Sequence, residues 1–185
     1  MNQLPNLITG VRIVLTPWII LSLLRGACPL ALWLSLLAGS TDFFDGYAAR
    51  RLQIESRSGA YLDPIADKLL LTSLYVCFGV ANLIPDWLVW LVVGRDIIIL
   101  TMVAFGLLFT AVRDYPPTFS GKLSTFLQIV TSVAILSRCA YPGVVPSPLQ
   151  SALLIATTVV TAWSGVLYVW RGFTTLRGVQ HTIKV

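Results

Sequence analysis

Six apolar stretches limit what this chain can become. They run over about 7–24, 29–49, 59–84, 87–112, 123–136 and 149–170. A helix needs roughly 20 residues to cross the hydrocarbon of a bilayer. Charges, glycines and prolines separate the stretches, with Ile84-Pro85-Asp86-Trp87 and Arg113-Asp114-Tyr115-Pro116-Pro117 as the clearest breaks. A chain of 185 residues that is 56% hydrophobic and 11% charged has more apolar surface than a soluble core of its size can hide. The expected fold is an all-α integral membrane protein of six transmembrane helices, forming one domain over 1–185.

Basic residues orient that fold. Six spans put both termini on one side with the 51–58 and 113–122 loops. Arg12, Arg50, Arg51, Arg57, Lys68, Arg113, Lys122, Arg171, Arg177 and Lys184 gather there, against Arg25 and Arg138 on the other. The positive-inside rule then makes that side cytoplasmic. The net charge of +5 fits this asymmetry and contact with anionic headgroups, and no basic run interleaved with aromatics points to nucleic acid. The opening MNQLPNLITGVR lacks a basic n-region and a small-residue cleavage site, so the first segment is expected to stay. Cys28, Cys77 and Cys139 are far apart in apolar surroundings and read as packing residues.

Charge inside a bilayer is costly, yet 41–68 reads TDFFDGYAARRLQIESRSGAYLDPIADK. Asp42, Asp45, Gly46 and Ala49 recur at i, i+3, i+4 and i+7, one stripe of a helix; Gly59, Asp63 and Asp67 recur at i, i+4 and i+8, one stripe of the next. A loop of about eight residues makes the two helices antiparallel neighbours whose stripes can face each other at the cytoplasmic end. Four carboxylates there would repel one another unless divalent cations bind, and an all-oxygen set suits Mg²⁺ or Mn²⁺. Two such ions match four negative charges, and a metal pair on a phosphate chain is a recurrent arrangement for displacement at phosphorus. Gly46 and Ala49 leave room for a ligand at the backbone, and Arg50 can fork onto phosphate oxygens.

The pattern D-x2-D-G-x2-A-R-x8-G-x3-D-x3-D, complete here from Asp42 to Asp67, resembles the signature of the CDP-alcohol phosphotransferases. The resemblance covers most of the chain, since family members share six transmembrane helices with the motif across the second and third. It implies that Asp42, Asp45, Asp63 and Asp67 bind the metal pair and that Asp67 is the general base. It further implies that Asp42, Gly46, Ala49, Arg50 and Gly59 line the cytidine nucleotide site, that CMP is released, and that the protein is a homodimer of the cell inner membrane.

The acceptor alcohol lies outside the motif. Pro5-Asn6-Leu7-Ile8-Thr9-Gly10-Val11-Arg12 and Leu62–Lys68 resemble both the phosphatidylglycerophosphate synthase and the eukaryotic-type cardiolipin synthase branches. Both use CDP-diacylglycerol as donor; one accepts glycerol 3-phosphate, the other phosphatidylglycerol. Asn6, Thr9, Arg12, Lys68, Arg95, Lys122 and Ser124 are the candidate acceptor-binding residues. Arg95-Asp96 stands where the glycerophosphate branch typically reads Arg-Glu, and Ser124 where many of its members carry a second lysine. Glycerol 3-phosphate, the commoner acceptor for chains of this size, is the first expectation and phosphatidylglycerol the alternative. A small cation transporter is the remote alternative, but it would want acidic residues on several helices. Arg95 also has a purely structural reading as a partner of Asp96 or Asp86. Trp87, Trp90 and Trp170 read as an interfacial belt, and His181 as part of a solvated basic tail.

Overall fold

The computed structural model describes the backbone of residues 4–52, 59–109 and 119–182, and the side chains of 10–40, 68–102 and 119–170. Among these residues there are six helices and no strand: α1 (Leu4–Leu24), α2 (Cys28–Leu52), α3 (Gly59–Val80), α4 (Asp86–Phe109), α5 (Phe119–Ala140) and α6 (Ser147–Thr182). α3 begins at the expected glycine. α6 runs 12 residues beyond the expected end at 170, because no proline interrupts 171–182 and the basic segment continues the helix rather than forming a tail. α5 begins before Lys122 and ends beyond Arg138, so both cations lie within the helix rather than marking its limits.

Local chemistry sets the tight turns. At the end of α1 the Ala27 amide donates to the Ser22 carbonyl and the Gly26 amide to Leu23, with Gly26 at φ 74°, a conformation open to glycine at little cost. α3 closes the same way: Leu83 donates to Phe78 and Asn82 to Gly79, with Asn82 at φ 55°. Pro85 then bars continuation, and α4 opens with Asp86 in its first turn, where an anion favours the helix dipole.

The helices close a ring in the order α1, α2, α5, α6, α4, α3, with α3 also reaching across to α5. The apolar core sits at one end of it. Ile19 and Leu23 of α1, Ala31 and Leu32 of α2, Tyr75 and Phe78 of α3, Leu88 and Val92 of α4, and Ile135 and Leu136 of α5 meet there. These residues lie at the ends of α2 and α3 remote from the aspartate motif. α3 and α4 approach closely at Gly79, where an added Cβ would stand 2.7 Å from Cγ2 of Val89. Val89 is stiff about χ1 and cannot swing aside. Gly79→Ala is therefore expected to cost about 1–3 kcal/mol of stability through overpacking. Adding Val89→Ala should recover most of it, as read from thermal inactivation of the two variants.

Away from the core the usual distribution is turned inside out. On α6, Thr157, Thr161 and Ser164 point inward and are fully buried, while Ile155, Val159, Trp163 and Val166 are exposed. Their hydroxyls pair across the α5–α6 seam: Thr131 with Thr157 at 2.7 Å and Ser124 with Thr161 at 3.1 Å. Gln128 Nε2 adds a bond to Thr161 Oγ1 at 3.3 Å. Apolar side chains turned outward with hydroxyls bonded inward suit helices that face lipid. Phe119–Ala140 and Ser147–Trp170 are long and apolar enough to cross a membrane by length and composition. Trp87, Trp90 and Trp170 are all exposed, Trp90 by 75%.

The cysteines need a correction. Cys28 and Cys139, read above as packing residues, form a disulfide with Cα atoms 5.7 Å apart, while Cys77 is free and buried. The α2–α5 neighbour relation brings together residues separated by 111 positions, which no short sequence spacing signals.

Candidate active site

The backbone carries the motif positions on two helix ends that the same short connection joins. Asp42, Asp45, Gly46, Ala49 and Arg50 fall in the C-terminal half of α2, and Gly59, Asp63 and Asp67 in the first turns of α3. Because both segments are helical, each set does share a face, as its spacing requires. The side chains of these eight residues, and those of Asn6 and Thr9 on α1, lie outside the described residues. So do those of Phe43, Phe44, Tyr47 and His181. Among the described residues α2 and α3 do not pack on one another; α1 packs on both. The expected facing of the two aspartate stripes concerns positions outside the described side chains.

The described surroundings of the motif are polar and charged. Lys68, the residue after Asp67, points its ammonium at Asp96 Oδ1 on α4 at 2.6 Å. Arg95 Nη1 donates to the same oxygen at 2.6 Å. Asp96 is 5% exposed at its side chain and Arg95 4%, whereas Lys68 retains 28%. Two cations on one carboxylate leave a net charge of +1 in the triad. A lone ion at this depth would be prohibitive, and the shared pairing makes it tolerable.

Arg95 is held by more than its neighbour. Nη2 donates to Ser164 Oγ on α6 at 3.2 Å and to the Gly121 carbonyl on α5 at 3.4 Å, and Cζ stands 5.9 Å from the centre of the Tyr168 ring. Among the described residues its Nε is buried with no hydrogen-bond partner. Gly165 lies against its stem, an added Cβ there standing 3.7 Å from Arg95 Cγ. Arg95 thus ties α4 to α5 and α6, while Asp96 ties α4 to α3. The Gly121 contact also brings the first turn of α5, with exposed Lys122, beside this group.

Other candidates are placed differently. Arg12 is 2% exposed on α1, the helix that packs on both α2 and α3. Ser124 is fully buried in the α5–α6 seam, its hydroxyl shared by Thr161 and Gln128. The sequence offers Asp96 as a partner for Arg95 and as half of the Arg-Asp pair that departs from the glycerophosphate branch, and gives no sign of its bond to Lys68. The sequence reading also missed the inward row Thr157, Thr161, Ser164, although polar residues at i, i+4 and i+7 in an apolar helix signal a buried face.

The family model described as CDP-alcohol phosphatidyltransferase matches residues 2–170. The chain belongs to this family. A probable phosphatidylglycerophosphate synthase of Mycobacterium tuberculosis is 31% identical over 186 residues, covering 97% of this chain and 86% of that one. A probable cardiolipin synthase (CMP-forming) of Drosophila melanogaster is 31% identical over 193 residues. That match covers 96% of this chain, which spans 60% of the fly protein's length. A CDP-diacylglycerol–glycerol-3-phosphate 3-phosphatidyltransferase of Bacillus subtilis is 29% identical over 197 residues, covering 95% of this chain and 99% of that one. CDP-alcohol phosphatidyltransferases are membrane-associated transferases that generally depend on divalent cations. The donor set suits such ions, since four aspartates supply only hard oxygen ligands.

Proposed function

We propose that this CDP-alcohol phosphatidyltransferase transfers the phosphatidyl group of CDP-diacylglycerol to glycerol 3-phosphate, giving phosphatidylglycerophosphate and CMP. The observation that carries phosphatidyl transfer is the complete eight-position motif, Asp42 to Asp67, on the adjoining ends of α2 and α3 in a chain of this family; glycerol 3-phosphate is put first as the commoner acceptor for chains of this size. Asp67 takes the proton of the acceptor hydroxyl. The acceptor oxygen then forms a new bond to the phosphatidyl phosphorus as the bond from that phosphorus to CMP breaks. Asp42, Gly46, Ala49, Arg50 and Gly59 hold the cytidine nucleotide. Asp42, Asp45, Asp63 and Asp67 would hold two Mg²⁺ or Mn²⁺ ions, which when bound would offset the charge of the diphosphate. Lys68, Arg95 and Lys122, with Asn6, Thr9, Arg12 and Ser124, form the acceptor side.

The reading includes one transmembrane domain of six spans, with the termini and site on the cytoplasmic face of the cell inner membrane, working as a homodimer. Two observations support the orientation: the distribution of basic residues, and the Cys28–Cys139 disulfide at the helix ends remote from the motif. Disulfides persist in oxidising compartments, which suits the non-cytoplasmic side.

A second reading, transfer to phosphatidylglycerol to give cardiolipin, is favoured by the Lys68–Asp96–Arg95 triad. Its carboxylate leaves one net positive charge, a better match for a phosphodiester monoanion than for a phosphate dianion. An acceptor panel with purified protein and labelled CDP-diacylglycerol separates the two. Glycerol 3-phosphate should yield phosphatidylglycerophosphate and CMP when Mg²⁺ or Mn²⁺ is present, and nothing in EDTA. Cardiolipin from phosphatidylglycerol, with no product from glycerol 3-phosphate, would replace the first reading by the second.

A further inference from the structure

A lysine carries a compact charge on a flexible four-carbon stem, and left to itself it spreads over many rotamers. Lys68 is the one member of its triad that reaches solvent, and it follows Asp67 directly in the chain. Among the described residues its ammonium has no partner on its own helix. It is held from α4, by an Asp96 oxygen at 2.6 Å. That oxygen cannot drift, because Arg95 grips it from the same helix and is itself pinned to Ser164 of α6 and to the Gly121 carbonyl of α5. Thr72, one turn along α3 from Lys68, stands 3.5 Å from the other oxygen, Oδ2. Three helices therefore determine where a charge on a fourth is presented.

We propose that Asp96 is a positioning residue of the acceptor half of the site. It fixes the ammonium of Lys68, the residue that follows Asp67 on α3, so that this cation meets the phosphate of the incoming alcohol without first being ordered. The inference rests on the phosphatidyl-transfer reading above. Asp96 does not touch the substrate; it acts through Lys68, removing an ordering cost that binding would otherwise carry. Its loss should therefore weaken use of the anionic acceptor while sparing the donor.

The test is steady-state kinetics on the purified full-length protein, with Mg²⁺ or Mn²⁺ present. Acceptor and CDP-diacylglycerol are titrated separately, in one arm with glycerol 3-phosphate and in another with phosphatidylglycerol. In whichever arm supports turnover, Asp96→Asn is expected to raise the acceptor KM about tenfold, the effect of ~1.4 kcal/mol. The KM for CDP-diacylglycerol should stay within about twofold, and Asp96→Glu, which restores the charge, should recover most of the loss. Lys68→Met keeps the buried Arg95–Asp96 pair and so supplies a variant that folds even if Asp96→Asn does not. It should raise the acceptor KM alike, and the Lys68→Met/Asp96→Asn double variant should add little to it. An active wild type whose Lys68→Met or Asp96→Asn variant keeps its acceptor KM, or loses donor and acceptor affinity equally, overturns the inference and leaves the transfer reading standing. A wild type that releases no CMP with either acceptor overturns the transfer reading, and this inference with it.

Discussion

Asp67→Asn is expected to lower CMP release by about 10²- to 10⁴-fold, the range that a positioned general base contributes. Asparagine keeps the size of the side chain and one oxygen but has no basic lone pair for the acceptor proton. The change also removes one negative charge from the set proposed to hold the divalent pair. Nucleotide binding should survive, because Gly46, Ala49, Arg50 and Gly59 are untouched. The measurement is CMP release from labelled CDP-diacylglycerol, with Mg²⁺ or Mn²⁺ saturating, beside a binding isotherm for the cytidine nucleotide. Full activity in the variant would remove Asp67 from the role of base, and loss of nucleotide binding would make its role one of assembling the site.

The second large effect falls on stability. Arg95→Met removes the cation that joins α4 to α5 and α6, leaving Asp96 with Lys68 and the longer Thr72 contact. Breaking a buried pair by deleting one partner costs about 3–5 kcal/mol, and the remaining lysine points to the lower end, roughly 3 kcal/mol. For a chain of this size that corresponds to a fall of about 6–12 °C in the midpoint of thermal inactivation. Arg95→Lys should not rescue it. One ammonium cannot reach Asp96 Oδ1, Ser164 Oγ and the Gly121 carbonyl together, as the planar fork does. An unchanged midpoint in Arg95→Met would show that the triad contributes nothing to the stability of the bundle.

Much of this was legible in the residues. Helix number, the start of α3 at Gly59 and the break at Pro85 follow from local causes: apolar runs, turn chemistry, and a proline that cannot continue a helix. The family follows from eight residues within 41–68. The length of α6 was misjudged because basic residues were taken as an end to the helix, whereas no backbone obstacle stood in 171–182. The cysteines were misjudged because pairing depends on which helices are neighbours.

Sequence alone thus determined the family, through carboxylates whose spacing is a property of any helix they occupy. The tertiary structure decided who meets whom. α1 packs on both α2 and α3, α2 meets α5 so that Cys28 reaches Cys139, and α3 lies against α4 so that Lys68 shares an anion with Arg95. Helical periodicity is local and can be counted along a chain. Contacts between helices depend on how six of them close a ring, and that is settled by the fit of Gly79 against Val89, the α5–α6 hydroxyl seam and one buried carboxylate between two cations.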